Sequence, residues 1–285
     1  MAEPLPTGSA DLTRRGFLNV AAIAAAGAAS TAGGFMLRGV RGGATEATAE
    51  APSSQSLHGA KLGIQRVVWS VETDEPLVAL TFDDGPDPDL TPQILDILDR
   101  YDLQATFFVM GFNAERHRDL VTAAHSRGHE IGNHTWMHDD LTAQETDEAH
   151  ESIALGDDAV LSAIGARPRY FRPPQGKVSN AALRYAGEHH NDVVLWSLSR
   201  GVRDVGRPQE VADHVLGKIG PGEILLLHDG VGREDLRGRS AEPGPRRARR
   251  DVEVRALPAI IERTLERGLR PVTLSELLAA ERQTR

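Results

Sequence analysis

Ionisable side chains directly follow short apolar runs at four points of this sequence. They are Asp83 with Asp84, His134 with His138, Arg172, and His228. Neighbouring carboxylates repel each other, and burying either one is costly unless a cation or a hydrogen-bond donor compensates its charge. The Asp-Gly-Pro-Asp-Pro text that begins at Asp84 is equally typical of a solvated turn, because these are ordinary turn residues. The other three points must therefore decide between a site and a turn.

The two histidines of HTWMH, His134 and His138, lie four residues apart, so one helical turn would put both imidazoles on the same side. Two imidazoles and one carboxylate form a donor set that suits Zn²⁺ and also Fe²⁺ or Co²⁺. A pair of surface histidines is the plainer interpretation. The neighbouring carboxylates favour the metal, with Asp84 as the third ligand and Asp83 beside it.

A cation held by three protein ligands keeps positions open for water and for a substrate. Such a cation lowers the pKa of bound water, and a nearby carboxylate can take the proton. Asp83 is placed to act as that base, and His228 could protonate the leaving group. This combination is suited to the hydrolysis of an amide or an ester.

Runs rich in β-branched and apolar residues alternate with segments of helical periodicity from Val67 onward. The predicted strands are Val67–Val71, Leu77–Phe82, Ala105–Val109, Glu130–Asn133, Tyr170–Arg172, Asp192–Leu198, Ile224–His228 and Arg270–Thr273. The predicted helices are Pro92–Tyr101, Asp119–Arg127, Thr142–Ile164, Asn180–His189, Gln209–Ile219 and Val252–Arg267. Thr142 and Glu145 predict a capping box for the third helix. Such alternation predicts a parallel sheet, open or closed into a barrel, with active residues at the carboxyl ends of its strands.

The bulk composition is that of an ordinary globular protein, since 40% of the 285 residues are hydrophobic and 26% are charged. This length allows one large domain or two small ones. The net charge of -9 argues against broad nucleic-acid binding, which usually needs a basic face. The absence of cysteine excludes disulfides, thiolate zinc ligands and cysteine nucleophiles.

The N-terminal text TRRGFL places Arg14 and Arg15 before a weakly apolar stretch from Phe17 to about Leu37. This arrangement resembles a twin-arginine export signal and predicts an extracytoplasmic protein, secreted or associated with the membrane or cell wall. The stretch is long enough to span a bilayer, although its many Ala and Gly residues make it a poor permanent anchor. Cleavage of the segment and a membrane tether through it both stay open.

Four motifs, in this order, resemble those of the polysaccharide deacetylases, which are carbohydrate esterases with a chitooligosaccharide deacetylase homology domain. The motifs are TFDDGP (Thr81–Pro86), HTWMH (His134–His138), RPPQG (Arg172–Gly176) and LLLHD (Leu225–Asp229). The resemblance covers about Pro76 to Leu278. It implies an α/β fold, a distorted (β/α) barrel of seven or eight strands that forms a single catalytic domain. The expected organisation is a signal or anchor over 1–49, a linker with the first strand over 50–75, and the deacetylase domain over 76–282.

For the residues already singled out, the resemblance implies the roles of metal ligands (Asp84, His134, His138), general base (Asp83) and general acid (His228). It adds that Arg172 would orient Asp83, and that the backbone N–H of Gln175 would help hold a tetrahedral oxyanion. The implied cofactor is one divalent metal, zinc in the first place, with cobalt, nickel or iron as alternatives. The implied partner is a cell-wall or other acetylated polysaccharide.

The chain departs from the family where the carboxylate that tunes the acid histidine is expected. The family reads W-x-x-D-x-x-D-W, whereas this chain reads WSLSRGVRD, with Ser199 and Val202 in those two places. Asp204, two residues later, could substitute if the loop shifts. Without such a carboxylate, the imidazole of His228 would be poorly oriented as an acid, and reduced or altered activity is expected.

A second departure concerns the surroundings of the site. Gln175 stands where the family usually has Tyr or Phe, in the wall that contacts the sugar. Trp136, Trp196 and Pro174 are further candidates for a substrate wall, although tryptophans near strand ends more often belong to the core. The Arg-rich segment Arg233–Asp251 is interpreted as a mobile solvated loop, with a contact to anionic wall polymers as the alternative.

The leading hypothesis is an exported, metal-dependent hydrolase that removes acetyl groups from N-acetylglucosamine units of peptidoglycan or a chitin-like polymer. An O-acetyl esterase acting on xylan-type polymers is one alternative. A non-catalytic glycan-binding descendant is another, because the acidic partner of His228 is missing from its expected place. A non-haem iron oxygenase with the same ligands is disfavoured, since those enzymes generally build on antiparallel sheets. The sequence predicts no nucleic-acid partner and no particular oligomeric state.

Overall fold

Short runs of β-branched, aliphatic and aromatic residues form the strands of the computed structural model, which describes residues 66–201, 204–233 and 244–282. The strands are β1 (Val67–Val68), β2 (Leu77–Asp83), β3 (Thr106–Val109), β4 (Glu130–Asn133), β5 (Tyr170–Phe171), β6 (Asp192–Val194), β7 (Leu198–Ser199), β8 (Ile224–His228) and β9 (Arg270–Val272). All pairings between these named strands are parallel, as the alternation of strands and helices predicts.

Amphipathic segments between the strands form the helices. They are α1 (Leu90–Arg100), α2 (Gly111–Arg116), α3 (Arg118–Ser126), α4 (Thr146–Ile164), α5 (Asn180–His189), α6 (Pro208–Leu216), α7 (Pro245–Glu266) and α8 (Leu274–Ala279). In α1 the residues Leu90, Ile94, Leu95 and Leu98 are buried, and their spacing of three and four places them on one face. Helices of this kind cover the outside of the sheet.

The sheet is curled into a distorted barrel, which confirms the predicted fold class. Its strand order is β1-β6-β5-β4-β3-β2-β8-β7, with β9 beside β2. The chain passes from β6 to β7 between Val194 and Leu198, a path of at most about 14 Å. In a flat sheet six strand spacings of about 4.8 Å would separate them, roughly 29 Å. The two edges must therefore approach each other, and an antiparallel bridge between Ser70 and Glu223 joins them.

Strand β2 lies at the centre of the fold and all seven of its residues are buried. Val78, Leu80 and Phe82 pack into the core shared with the outer helices, whereas Leu77 and Ala79 belong to a second apolar cluster. A strand covered on both faces reads as a continuous apolar run, which is typical of parallel sheets. This strand gives the acidic residues at its end a rigid base.

Three predicted element boundaries are wrong. The predicted strand Asp192–Leu198 is two strands, β6 and β7, on opposite sides of the barrel opening. Helix α4 begins at Thr146 rather than Thr142, because the Thr142 hydroxyl donates to Asp140 and forms no capping box. Helix α7 begins at Pro245, so the end of the segment predicted as a solvated loop is helical. Residues 234–243 of that segment lie outside the described residues.

The predicted signal or anchor over 1–49 also lies outside the described residues, as does most of the predicted linker. Within the part of the chain that the structure describes, no helix is both long enough and apolar enough to cross a membrane.

Candidate active site

The carboxyl ends of four strands bring the predicted residues together at one rim of the barrel. Asp83 and His228 are direct neighbours in the register of β2 and β8. Asp84 comes next in the chain, His134 follows β4, and Arg172 follows β5. Because all of these strands are parallel, their carboxyl ends point to the same side. Asp83, Asp84, His134, His138, Gln175, Trp196 and His228 line one cavity of ≈ 260 Å³ there.

Asp84 is a buried carboxylate with one oxygen occupied and one not. Its Oδ2 accepts a hydrogen bond from Arg250 at 2.9 Å, whereas Oδ1 is buried without a donor among the described residues. Burial by itself raises the pKa of Asp84, but the Arg250 guanidinium and the nearby histidines outweigh it and hold that pKa below its ordinary value. The group is therefore ionised, and Oδ1 is left to meet a cation.

The two histidines present ring nitrogens towards that oxygen. His134 Nδ1 lies 2.7 Å from the carbonyl oxygen of Arg172, so this nitrogen donates and Nε2 keeps its lone pair. The imidazole of His138 lies 5.1 Å from that of His134, and burial lowers the pKa of His138 to about 4, which keeps it neutral. The expected helical turn is not present, since Thr135 and His138 have φ values of 68° and 55°. An irregular turn brings the rings together instead.

These three residues fit a divalent metal. Nε2 of His138 lies 3.3 Å and Nε2 of His134 lies 3.7 Å from Asp84 Oδ1, and the three ligand atoms lie within 4.8 Å of one another. Ligands bound at about 2.1 Å to a tetrahedral ion would be about 3.4 Å apart. The uncommitted, buried Oδ1 is the atom such an ion would satisfy. The triad predicted from the spacing is thus a candidate metal site.

Asp83 is held by a buried arginine. Arg172 NH1 donates to Asp83 Oδ1 at 2.7 Å and to the Thr81 hydroxyl at 2.9 Å, and its guanidinium stacks 4.0 Å from the Phe108 ring centroid. The other carboxylate oxygen, Oδ2, lies 3.7 Å from His134 Nε2. Arg172 therefore fixes one oxygen of Asp83 and leaves the second beside the candidate metal site.

His228 has a carboxylate partner that sequence reasoning missed. Its Nδ1 lies 3.0 Å from Oε2 of Glu253, a residue of α7 that is only 1% exposed. Asp204, the substitute considered from the sequence, is exposed and makes no hydrogen bond or ion pair with His228. A carboxylate at Nδ1 fixes the orientation of an imidazole and stabilises its protonated form. Glu253 thus occupies the functional place of the carboxylate missing after Trp196.

Glu253 belongs to a buried charge network that reaches the candidate metal site. Its Oε1 accepts from Arg250 NH1 at 3.0 Å and lies 3.4 Å from Arg200 Nε, while Arg250 NH2 donates to Asp84. Burial by itself raises the pKa of Glu253, but His228 and Arg250 outweigh it and lower that pKa. Arg250 therefore links the Asp84 side of the site to the His228 side.

The spacing of charges in α7 is a signal that could have revealed this network. Arg246, Arg249, Arg250 and Glu253 follow the i, i+3, i+4, i+7 pattern of one helix face. The same face continues as the buried apolar residues Leu257, Ile260 and Ile261. A buried stripe that changes from apolar to charged at one end indicates a polar site opposite that end. The Gly- and Pro-rich sequence before α7 is typical of a loop and made this helical pattern hard to recognise.

Four other predicted site residues differ in their placement. Gln175 lines the cavity with a left-handed backbone (φ 60°), and the Trp196 ring lines it as well. Trp136 packs edge-on against Phe112 of α2 and is not among the cavity-lining residues. Pro174 is buried beside Gln175. Of the candidates for a substrate wall, Trp196 and Gln175 are therefore best placed.

The residue after His228 supports the loop that carries Asp84. Asp229 accepts from the backbone N–H of Gly85 at 3.1 Å and from the Thr91 hydroxyl at 2.7 Å. Burial raises the pKa of Asp229 to about 8, and the neighbouring carboxylates of Asp84, Asp87 and Asp83 add to this rise. His228 and Asp229 therefore have different roles. The His228 side chain lines the cavity, whereas the Asp229 side chain joins the end of β8 to the loop that follows β2.

Together these groups define a hydrolytic type of site. It has a three-residue metal-ligand set, a carboxylate held by arginine, and an imidazole held by glutamate, all in one cavity. The first could bind a Lewis acid, the second can accept a proton from water, and the third can donate one to a leaving group.

Comparison with known proteins agrees with this class. The polysaccharide deacetylase family profile matches residues 70–194. A peptidoglycan-N-acetylglucosamine deacetylase of Bacillus cereus is 38% identical over 74% of this chain and 92% of its own length. A chitooligosaccharide deacetylase of a Bradyrhizobium strain is 36% identical over 70% of this chain and 90% of its own. The crystal structure of the Bc1960 peptidoglycan N-acetylglucosamine deacetylase superposes with a TM-score of 0.66 at 32% identity, covering 76% of this chain and 96% of that one.

The chain belongs to the polysaccharide deacetylase family. The family resemblance inferred from the four motifs is therefore confirmed, and so is the interpretation as a hydrolase.

Proposed function

We propose that this protein is a metal-dependent deacetylase of N-acetylated carbohydrate, acting on peptidoglycan or on chitin-like oligosaccharides. The observation that carries the proposal is the convergence in one cavity of the Asp84, His134 and His138 ligand set with Asp83 and His228. The relatives named as deacetylases of these two substrate classes support it. Glu253 removes the motive for a non-catalytic descendant, because His228 does have a carboxylate partner.

The residues divide the reaction between them. A divalent cation, for which we propose zinc, would polarise the acetyl carbonyl and acidify a water molecule when bound to the ligand set. Asp83, fixed by Arg172, accepts a proton from the water molecule that attacks the carbonyl carbon. The backbone N–H of Gln175 stabilises the oxyanion. His228, fixed by Glu253, protonates the sugar nitrogen as the C–N bond breaks, which releases acetate and a free amine.

Acetate release by the zinc-loaded protein tests this function. The substrates are peptidoglycan, N-acetylglucosamine oligomers and acetylated xylan, and His228→Ala is the inactive control. We expect acetate from the N-acetylated substrates and loss of at least 10²-fold in rate for the variant. Acetate from xylan alone would assign an O-acetyl esterase, and no acetate from any of the three would overturn the proposal.

We also propose that the segment over 1–49 exports the protein through a twin-arginine route, which would bring it to the cell wall. The support is the Arg14-Arg15 pair before the apolar stretch, in a part of the chain outside the described residues. Replacing both arginines with lysine should trap the precursor in the cytoplasm, as measured by cell fractionation. Normal export of that double variant would show that another route is used.

A further inference from the structure

The first two turns of α7 carry an unusual charge pattern. They contain Arg246, Arg247, Arg249 and Arg250 and no acidic residue in the first turn. Cations at a helix N-terminus oppose the helix dipole, so this arrangement costs helix stability unless other groups compensate it. A cationic helix N-terminus beside an active site indicates that the arginines serve the site and not the stability of the helix.

The guanidinium groups of Arg247 and Arg250 pair with carboxylates of the described residues. Arg247 pairs with Asp87 at 2.7 Å and with Asp89 at 3.0 Å, on the neighbouring loop before α1. Arg250 pairs with Asp84 at 2.9 Å and with Glu253 at 3.0 Å. Both are therefore accounted for by the fold itself.

Arg249 is different. It lines the cavity beside Arg246, yet its buried Nε has no hydrogen-bond partner, and no carboxylate of the described residues lies within ion-pair distance of its guanidinium. A buried polar group left without a partner costs about 1–3 kcal/mol. A ligand that supplied an acceptor would remove this cost.

The two carboxylates in the cavity lining are already paired with other arginines. Asp83 pairs with Arg172 and Asp84 pairs with Arg250. Neither carboxylate therefore offsets the charge of Arg249, which lines the same cavity. An anionic group on a bound substrate would offset it.

We propose that Arg249 forms a subsite for a carboxylate carried by the acetylated sugar chain. The inference rests on the proposed deacetylase function and specifies its substrate, which would be an acidic amino-sugar polymer rather than neutral chitin. Guanidinium groups bind carboxylates through paired, charge-assisted hydrogen bonds. Two sources offer this chemistry, the lactyl carboxylate of a muramic acid unit and the carboxylate of a uronic acid unit.

The test compares tetrasaccharides that differ in charge. They are N-acetylglucosamine alternating with N-acetylmuramic acid, the same compound with its lactyl carboxylates converted to methylamides, N-acetylglucosamine alternating with glucuronic acid, and N-acetylglucosamine alone. We measure kcat/KM for acetate release by the zinc-loaded protein and binding by calorimetry to the metal-free protein. Wild type should prefer an acidic compound over its neutral counterpart by about 10-fold or more. The preference should shrink as NaCl is raised, because exposed charges are screened.

Variants of α7 decide whether Arg249 is responsible. Arg249→Gln should abolish the preference for the acidic substrate, because kcat/KM and affinity for the acidic compound fall to those for its neutral counterpart. Arg255→Gln is the matched control, because it removes the same charge from an exposed position of the same helix and should keep the preference.

Three results would overturn the subsite: no preference in wild type, a preference that survives in Arg249→Gln, or equal losses in both variants. Weaker inhibition of Arg249→Gln by acetate with an unchanged preference would also overturn it, since the site would then hold the released product. Absence of acetate from all four compounds would instead contradict the deacetylase function itself. The muramic and glucuronic compounds, compared with each other, show which source of carboxylate is used.

Discussion

Replacing Glu253 with Gln should slow the enzyme. Two unit charges 3.0 Å apart attract by about 5.5 kcal/mol at an effective dielectric constant of 20. Glu253 shares its charge with Arg250 and Arg200, so about a third of this, roughly 2 kcal/mol, holds the His228 imidazole in the orientation of the acid. That energy corresponds to a rate loss of about 30-fold.

The assay is kcat and kcat/KM for acetate release at a fixed pH, with zinc content measured on the same samples. Glutamine keeps the size of Glu253 and can still accept a hydrogen bond, so a purely steric role would leave the rate unchanged. Asp204→Asn is the control, because that exposed carboxylate makes no hydrogen bond or ion pair with His228, and it should behave as wild type. A Glu253→Gln enzyme with a normal rate, or an Asp204→Asn enzyme with the same loss of rate, would refute the assignment.

His138→Ala should reduce the metal content, measured by elemental analysis, from about one equivalent to a small fraction, and an unchanged content would contradict the ligand set. Asp84→Asn should lose metal and activity together, whereas Asp83→Asn should keep its metal while kcat falls by about 10²–10⁴-fold. Loss of metal from Asp83→Asn would show that it is not merely the base. Burial raises the pKa of Asp229 to about 8 from an unfolded value near 4, so between these values the folded state holds a proton that the unfolded state has lost. The free energy of unfolding should therefore decrease from pH 4 to 8 and level off above, in urea titrations of metal-free protein, and Asp229→Asn should lack this slope. Parallel slopes in both proteins would contradict the raised pKa.

The sequence predicted the parts of the site that strands deliver. Asp83, Asp84, His134 and His228 each follow an apolar run, and parallel strands carry their ends to one rim without any knowledge of side-chain contacts. The strand pattern also predicted a parallel sheet, and the family resemblance implied that the sheet forms a distorted barrel. The division into β6 and β7 could not be predicted. The sequence from Asp192 to Leu198 is continuously apolar, yet the chain crosses the barrel opening between the two strands.

The charged face of α7 indicates a polar site, but the pairing of Glu253 with His228 could not be predicted from that face. Glu253 lies 25 residues beyond His228, so the contact depends on how α7 packs against the sheet. The sequence around either residue does not determine that packing. The arginine-rich text was interpreted as solvated because four arginines in six residues are rarely buried. Arg250 is only 8% exposed, since Asp84 and Glu253 occupy its two terminal nitrogens. Ion pairs formed in the folded protein therefore bury an arginine whose surrounding sequence predicts solvent exposure.

The link from Asp84 through Arg250 to Glu253 has a consequence for protein engineering. Arg250 and Glu253 lie one helical turn apart, so a single rigid segment supplies the group that holds the ligand and the group that holds the acid. Transferring the pairing of His228 with Glu253 into another barrel would require the first turns of α7 as a unit, together with the residues that these turns contact. Grafting Glu253 alone would bury a carboxylate without its guanidinium, and grafting Arg250 alone would bury a cation against half of its partners. Changes at the two positions should therefore be strongly non-additive in a double-mutant cycle.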